Sequence, residues 1–273
     1  MLTVTRGLDG RALAEVGRLE QEVVAHDGGR LKLELDYVEA NPIDVALAHD
    51  GERLVGYAGL YAFGGDEPEI AGMVAPDARR RRCGTGLLEA LLPLARDMGA
   101  RALLVVPSTT RAGQAFAESK GASRSHSEHF LVLGDTPTTG EDPATTLRAA
   151  GPEDVAALQR IVAAAFQEAP RPLDLDRVGD TTYVIERDGR TVGHVRLSVG
   201  GDVGGVYGFA IDPALQGKGI GRDVLARACR LLRADGRGHV TLEVETENAS
   251  ALHLYTSTGF VKEAGEDYWA LAL

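Results

Sequence analysis

Val203-Gly-Gly-Val-Tyr-Gly-Phe-Ala-Ile211, stopped by Asp212-Pro213 and followed by Gln216-Gly217-Lys218-Gly219-Ile220-Gly221, is the stretch on which the fold turns. Its first nine residues are apolar and β-prone, and Asp-Pro ends a strand. Beyond Gly221, apolar residues recur at Val224, Leu225, Ala228, Leu231 and Leu232, the spacing of an amphipathic helix. The glycines therefore lie at a helix N-terminus, where unpaired N–H groups and the positive dipole end attract phosphate. Glycine has no Cβ to hold a pyrophosphate away, and it takes positive φ at little cost. A dinucleotide-binding fingerprint fits poorly, because its glycine spacing differs.

The chain repeats this layout. Val74-Ala-Pro76-Asp-Ala-Arg79 with Leu87-Leu88 matches Ile211-Asp-Pro213-Ala-Leu-Gln216 with Val224-Leu225 at a constant offset of 137. Lys120-Gly121-Ala122 matches Thr258-Gly259-Phe260 at an offset of 138. Upstream, residues 45–57 and 183–194 each read as a hairpin with an Asp-Gly turn. Residues 134–143 are polar, contain two prolines and read as a linker. The expected domains are 1–135 and 145–273.

Each copy predicts the same order. A strand (2–5 and 145–149) precedes a helix (9–25 and 152–168), and three mostly antiparallel strands end near 75 and 211. There follow a helix (84–98 and 220–235), a strand (101–106 and 239–245), a helix (111–120 and 248–257) and terminal strands. The fold class is α/β: two tandem mixed sheets with helices on both faces.

Composition agrees with a two-domain globular chain of 273 residues, 44% of them hydrophobic. No apolar run is long enough to span a bilayer, and the N-terminus lacks a signal-peptide layout. Cys83 and Cys229 give no disulfide framework, which points to a reducing, cytoplasmic setting. A net charge of −11 argues against a nucleic-acid surface and favours cationic small molecules. No metal-ligand set is expected. Two domains in one chain imply a monomer.

Thirty-two residues after Gln216 comes Asn248-x-x-Ala251-x-x-x-Tyr255-x-x-x-Gly259-Phe260. In this order the two elements resemble the GNAT superfamily of N-acyltransferases: its Q/R-x-x-G-x-G/A acyl-CoA loop, then its helix carrying a tyrosine beside the coenzyme's sulfur. The resemblance covers nearly the whole chain twice. It implies acetyl-CoA as cosubstrate, held by Phe209, Ala210 and Ile211 on the strand and by Gln216, Gly217, Lys218, Gly219, Ile220, Gly221 and Arg222 in the loop. Asn248, Ala251 and Tyr255 complete the set. The implied activity is acetyl transfer to a small-molecule amine, by direct attack in a ternary complex. The contrasting reading is a non-catalytic acyl-CoA sensor or scaffold, which has no use for Tyr255.

Such a reaction makes three demands. The attacking amine must be neutral, so its proton needs an acceptor. The thioester oxygen gains charge and needs an N–H donor, which an interrupted strand offers; Gly208 is the candidate break. The leaving thiolate needs a proton, and Tyr255 occupies the position the family uses to supply it. For the amine, Glu243 and Glu245 alternate with the apolar Val240, Leu242 and Val244 and so share the opposite face of their strand. They are the expected acidic contacts of a cationic acceptor, or its base. His194 and His253 can also accept a proton, but a lone histidine is more often structural, and neither is assigned a role.

The halves differ where the chemistry is expected. Arg82 stands where the second half has Gly219, and Ala117 stands where it has Tyr255. Thr110 replaces Asn248. The gapless alignment is preferred to sliding the motif to residues 81–86. An arginine at the first glycine could grip a phosphate or block the turn. Alanine donates no proton, so the first domain is expected to be degenerate and the second catalytic.

Overall fold

A computed structural model describes residues 1–63, 67–137, 141–167, 169–170, 172–173, 175 and 180–273. The centre of the expected linker (138–140) and the last residue of the helix expected at 152–168 lie outside them. The first half contains β1 (Leu2–Arg6), α1 (Gly10–Asp27), α2 (Leu35–Ala40), β2 (Asp44–Asp50), β3 (Arg53–Tyr61), β4 (Glu69–Val74), α3 (Cys83–Arg96), β5 (Arg101–Pro107), α4 (Arg111–Ser119) and β6 (Ser123–Leu133). The second contains β7 (Thr145–Ala149), α5 (Val155–Phe166), β8 (Asp180–Arg187), β9 (Arg190–Gly200), β10 (Val203–Ile211), α6 (Ile220–Ala234), β11 (His239–Glu245), α7 (Ala249–Ser257) and β12 (Phe260–Ala272). Apart from the short α2, this is the expected mixed α/β order.

The chain forms two compact units: residues 1–128 with 264–273, and residues 129–263. The boundaries 1–135 and 145–273 fit the sequence repeat but not these units. The last ten residues count with the first unit, where Glu266–Ala272 of β12 pair antiparallel with Pro107–Arg101 of β5. In the second unit the neighbour of β11 is β6, a strand of the first repeat. Each sheet is thus closed by a strand from the other repeat. With 13 residues, β12 is long enough to serve 260–263 in one unit and 264–272 in the other.

Within each unit the first strands form an antiparallel meander, β1 to β4 or β7 to β10. A parallel pair follows, and it is short: Glu69–Ala71 beside Leu103–Val105, and Val203–Gly205 beside His239–Thr241. Among the described residues no further pairing joins the two strands of either couple, so each couple splays apart. In the second unit Val224, Leu225, Ala228, Cys229 and Leu232 of α6 pack on Val195, Leu197, Val240, Leu242 and Val244. Burial of this stripe fixes α6 and hence the loop at its N-terminus. Leu231, expected on that stripe, is 42% exposed.

Candidate acetyl-transfer site

The loop before α6 is built by its own sequence. Pro213–Leu215 makes a single 3-10 turn, with the Asp212 carboxylate accepting from Ala214 N–H. Gln216 then runs extended, and its Nε2 donates to the Ile211 carbonyl at 3.0 Å. Gly217 and Gly219 adopt φ of +73° and +83°, and a Cβ built on either would meet nothing within 4 Å. Residues 216–219 are exposed, and the backbone enters α6 at Ile220. The residues present thus suit an anion approaching backbone N–H groups at a helix start. Lys218 donates to the Ala214 carbonyl, and Arg222 donates to Ser257 Oγ at the far end of α7.

The strand break falls at Gly208. The β9–β10 ladder steps from Tyr207 opposite Arg196 to Ala210 opposite His194, so β10 carries one extra residue. Gly208 sits there with φ of +53°, a region other residues enter only under strain, and it is exposed. A bulge takes a backbone N–H out of the ladder, and that is what the developing oxyanion requires.

Tyr255, 9% exposed on α7, meets Phe260 edge-on with ring centroids 6.2 Å apart. Its hydroxyl has no hydrogen-bond partner among the described residues, and burial pushes its pKa up to about 12. It is therefore fully protonated at neutral pH. Asn248 caps α7, accepting from Ala251 N–H at 3.0 Å, and so fixes the helix that carries the tyrosine. Phe209 is half-buried, its ring tip 3.8 Å from where a Cβ on Gly221 would stand; Ala210 and Ile211 are buried.

The acidic pair divides. Thr241, Glu243 and Glu245 share the face opposite the core, as the alternation requires, but Thr241 is buried, Glu243 half-buried and Glu245 exposed. By strand register, Tyr207, Arg196 and His194 stand on that same face. Arg196 pairs with Asp180 at 3.2 Å and lies over the Tyr207 ring at 5.5 Å. His253 is exposed on α7. From the sequence, His194 was only one possible proton acceptor without an assigned role, and the Arg196–Asp180 pair gave no signal. For His194 one signal was present, since Val-Gly-His ends the second hairpin where Val-Gly-Tyr ends the first.

The first unit has a cavity beside the corresponding loop, lined in part by different side chains. A cavity of about 490 Å³ runs along β4 (Ile70 to Val74) and β5 (Leu104 to Pro107), past Phe116 of α4, to Arg79, Arg80 and Arg82. Arg80 and Arg82 adopt φ of +61° and +64°, the conformation of Gly217 and Gly219. The gapless alignment therefore holds in three dimensions, and arginine does not block the turn. Arg79 takes the place of Gln216, donating to the Val74 carbonyl at 3.0 Å while its other nitrogens pair with Asp27. The ladder from β3 to β4 runs unbroken past Ala71, the counterpart of Gly208. Ala117 is wholly buried.

Comparison with known proteins agrees with this geometry. The acetyltransferase (GNAT) family matches residues 17–122 and again 153–260. A mycothiol acetyltransferase of Nocardia farcinica is 32% identical over 241 residues, 78% of this chain and 77% of that one. Among solved structures, a GCN5-related N-acetyltransferase from Sphaerobacter thermophilus superposes with a TM-score of 0.79 at 15% identity, over 99% of this chain and 95% of that one. A tandem GNAT protein from the clavulanic acid biosynthesis pathway gives a TM-score of 0.71 at 16% identity, over 100% and 98%. These two likenesses are of fold. Two family matches along one chain, a curated relative over most of its length, and a glycine loop with a broken strand in the second unit converge: the chain belongs to the GNAT family of acetyltransferases, enzymes that take their acetyl group from acetyl-CoA.

Proposed function

We propose that the second unit transfers acetyl from acetyl-CoA to the primary amine of a small molecule, by direct attack in a ternary complex. The observation that carries this reading is Tyr255, buried, protonated and without a partner among the described residues, on the helix that Asn248 caps. The amine lone pair attacks the thioester carbon, and the oxygen gains charge beside the bulge at Gly208. As the C–S bond breaks, Tyr255 donates its proton, or at least a strong hydrogen bond, to sulfur. The burial that raises the phenol's pKa would also raise that of a thiolate in the same place, so the transfer is less uphill than values in water suggest.

The glycine loop, with Phe209, Ala210, Ile211, Arg222 and Ala251 around it, is the coenzyme's seat in this reading. Glu243 and Glu245 hold the acceptor's ammonium, Glu243 the more closely because it is half-buried. A net charge of −11 suits a cationic small molecule better than nucleic acid. We take the chain to be a cytoplasmic monomer. No helix among the described residues is long and apolar enough to cross a membrane.

Thiol release from acetyl-CoA across a panel of amines tests the reading. Because the curated relatives are named mycothiol acetyltransferases, the acceptor they use heads the panel, and the expected activity is mycothiol-synthase-like. Amine-dependent thiol release that disappears when the second unit's loop is altered is the expected result. Tight binding of acetyl-CoA with no amine-dependent release would favour the sensor instead.

A further inference from the structure

We propose that His194 is the general base of the second unit, taking the proton that the acceptor amine loses as it adds to the thioester. The inference rests on the acetyl-transfer reading above and assigns the proton step that the reading leaves open. Three independent observations carry it.

The first is position. His194 pairs with Ala210 immediately after the bulge, and its ring lies against the break. A Cβ on Gly208 would stand 3.3 Å from its Cε1 and 4.0 Å from its Nε2. If the thioester oxygen binds at the bulge, the imidazole lies within one side chain of the carbon under attack.

The second is its lack of partners. His194 is 4% exposed, and neither ring nitrogen has a hydrogen-bond partner among the described residues. A buried imidazole with both nitrogens unpaired costs stability, and such groups concentrate at functional sites. Glu243, the rival base, already has a partner of its own.

The third comes from the repeat. At the same offset of 137 the first unit has Tyr57, which lines the 490 Å³ cavity there. By this correspondence His194 takes, in the second unit, the position that lines the cavity in the first. Tyr57, however, is tied into the fold, its hydroxyl 3.1 Å from that of Tyr61, which donates to the Leu33 carbonyl.

Burial, helped by Arg196, holds the imidazole's pKa down to about 4. The ring is therefore neutral at assay pH and has a lone pair to offer. Arg196 is itself neutralised by Asp180 at 3.2 Å, and Glu243 shares the face. The proton comes from the nitrogen of the tetrahedral adduct, which is far more acidic than free ammonium. The step balances: nitrogen bonds to carbon, its proton passes to His194, the C–S bond breaks, and sulfur takes the Tyr255 proton. Once the products leave, the imidazolium proton returns to the tyrosinate through solvent.

The test uses the full chain and the amine that gives most thiol release. His194→Gln keeps the volume and a hydrogen bond but accepts no proton. It should lower kcat by at least about 100-fold, the lower range for general-base loss, while the acetyl-CoA Kd moves less than about twofold. His194→Ala should lose as much and regain turnover in proportion to added imidazole, which packing alone would not produce. A His194→Gln enzyme within about threefold of the parent would overturn the proposal. So would a folded, coenzyme-binding His194→Ala that ignores imidazole. Failure of the parent chain to acetylate any amine would instead strike the acetyl-transfer reading.

Discussion

Arg80 and Arg82 in the first unit hold the same left-handed backbone as Gly217 and Gly219 in the second. For arginine that conformation costs roughly 1–2 kcal/mol per residue, so the flanking 3-10 turn and helix impose it. The shape of the loop is thus a property of the frame, and glycine contributes access. What separates the units is the side chains at corresponding positions of the repeat. The second has Tyr255, Glu243, Glu245 and His194 where the first has Ala117, Val105, Pro107 and Tyr57. The first unit also fills the outer face of its sheet with charge. Lys32, nearly buried, donates to Tyr268 Oη at 2.5 Å, Tyr268 donates to Glu128 at 2.6 Å, and Arg30 pairs with Glu266 at 2.8 Å.

The sharpest way to break this comparison is Tyr255→Phe. Removing only the phenolic proton should cut turnover about 100- to 1000-fold with coenzyme affinity unchanged, and the first unit should supply no residual rate. Steady-state turnover within about twofold of the parent would remove Tyr255 from the mechanism.

Acid should separate the units next. His194 is held neutral near pKa 4 in the fold against an ordinary 6.5, so between those values the unfolded chain binds the proton the fold refuses. Stability from this group is complete above about pH 6.5 and declines toward pH 4, by about 3 kcal/mol at most. His194→Tyr, copying Tyr57, should flatten that dependence in thermal melts between pH 7 and 4.5. An unchanged slope would mean that the ring is not buried neutral.

Coenzyme occupancy is a third measure. The second unit should bind acetyl-CoA as a full pyrophosphate site, and the first at least about tenfold more weakly, differently or not at all. Gly219→Arg, which copies the first unit, should weaken binding in the second. Calorimetry showing two equal tight sites, each abolished by altering its own loop, would erase the asymmetry.

The smallest expected effects belong to the acidic pair. Glu243→Gln should raise the acceptor KM a few-fold and Glu245→Gln less, since Glu245 is exposed and well screened. If both variants match the parent with a true acceptor from about pH 6 to 9, the window in which a shifted carboxylate or amine would titrate, these are surface charges.

Much of this was legible before any coordinates. The duplication, the order of elements, the helix N-terminus behind Gly219 and the break at Gly208 all follow from local signals: hydrophobic period, turn residues, a glycine inside a strand. The tyrosine came from the resemblance of its motif to the family's. The place of His194 against the break was not legible, because its neighbours in space are set by the β9–β10 register, and a bulge shifts that register by one residue without altering any local preference.

What the sequence determined by itself was therefore the local grammar of each half: which residues form strands and helices, which turn offers N–H groups, and which half carries the tyrosine. Only the tertiary structure decided which strand closes which sheet, that arginine keeps the glycine turn, and that a lone histidine lies against the strand break. Strand partnership is a non-local hydrogen-bond choice. The alternation that makes β6 and β12 strands is satisfied equally well beside β5 or β11, and packing of the whole chain selects between them.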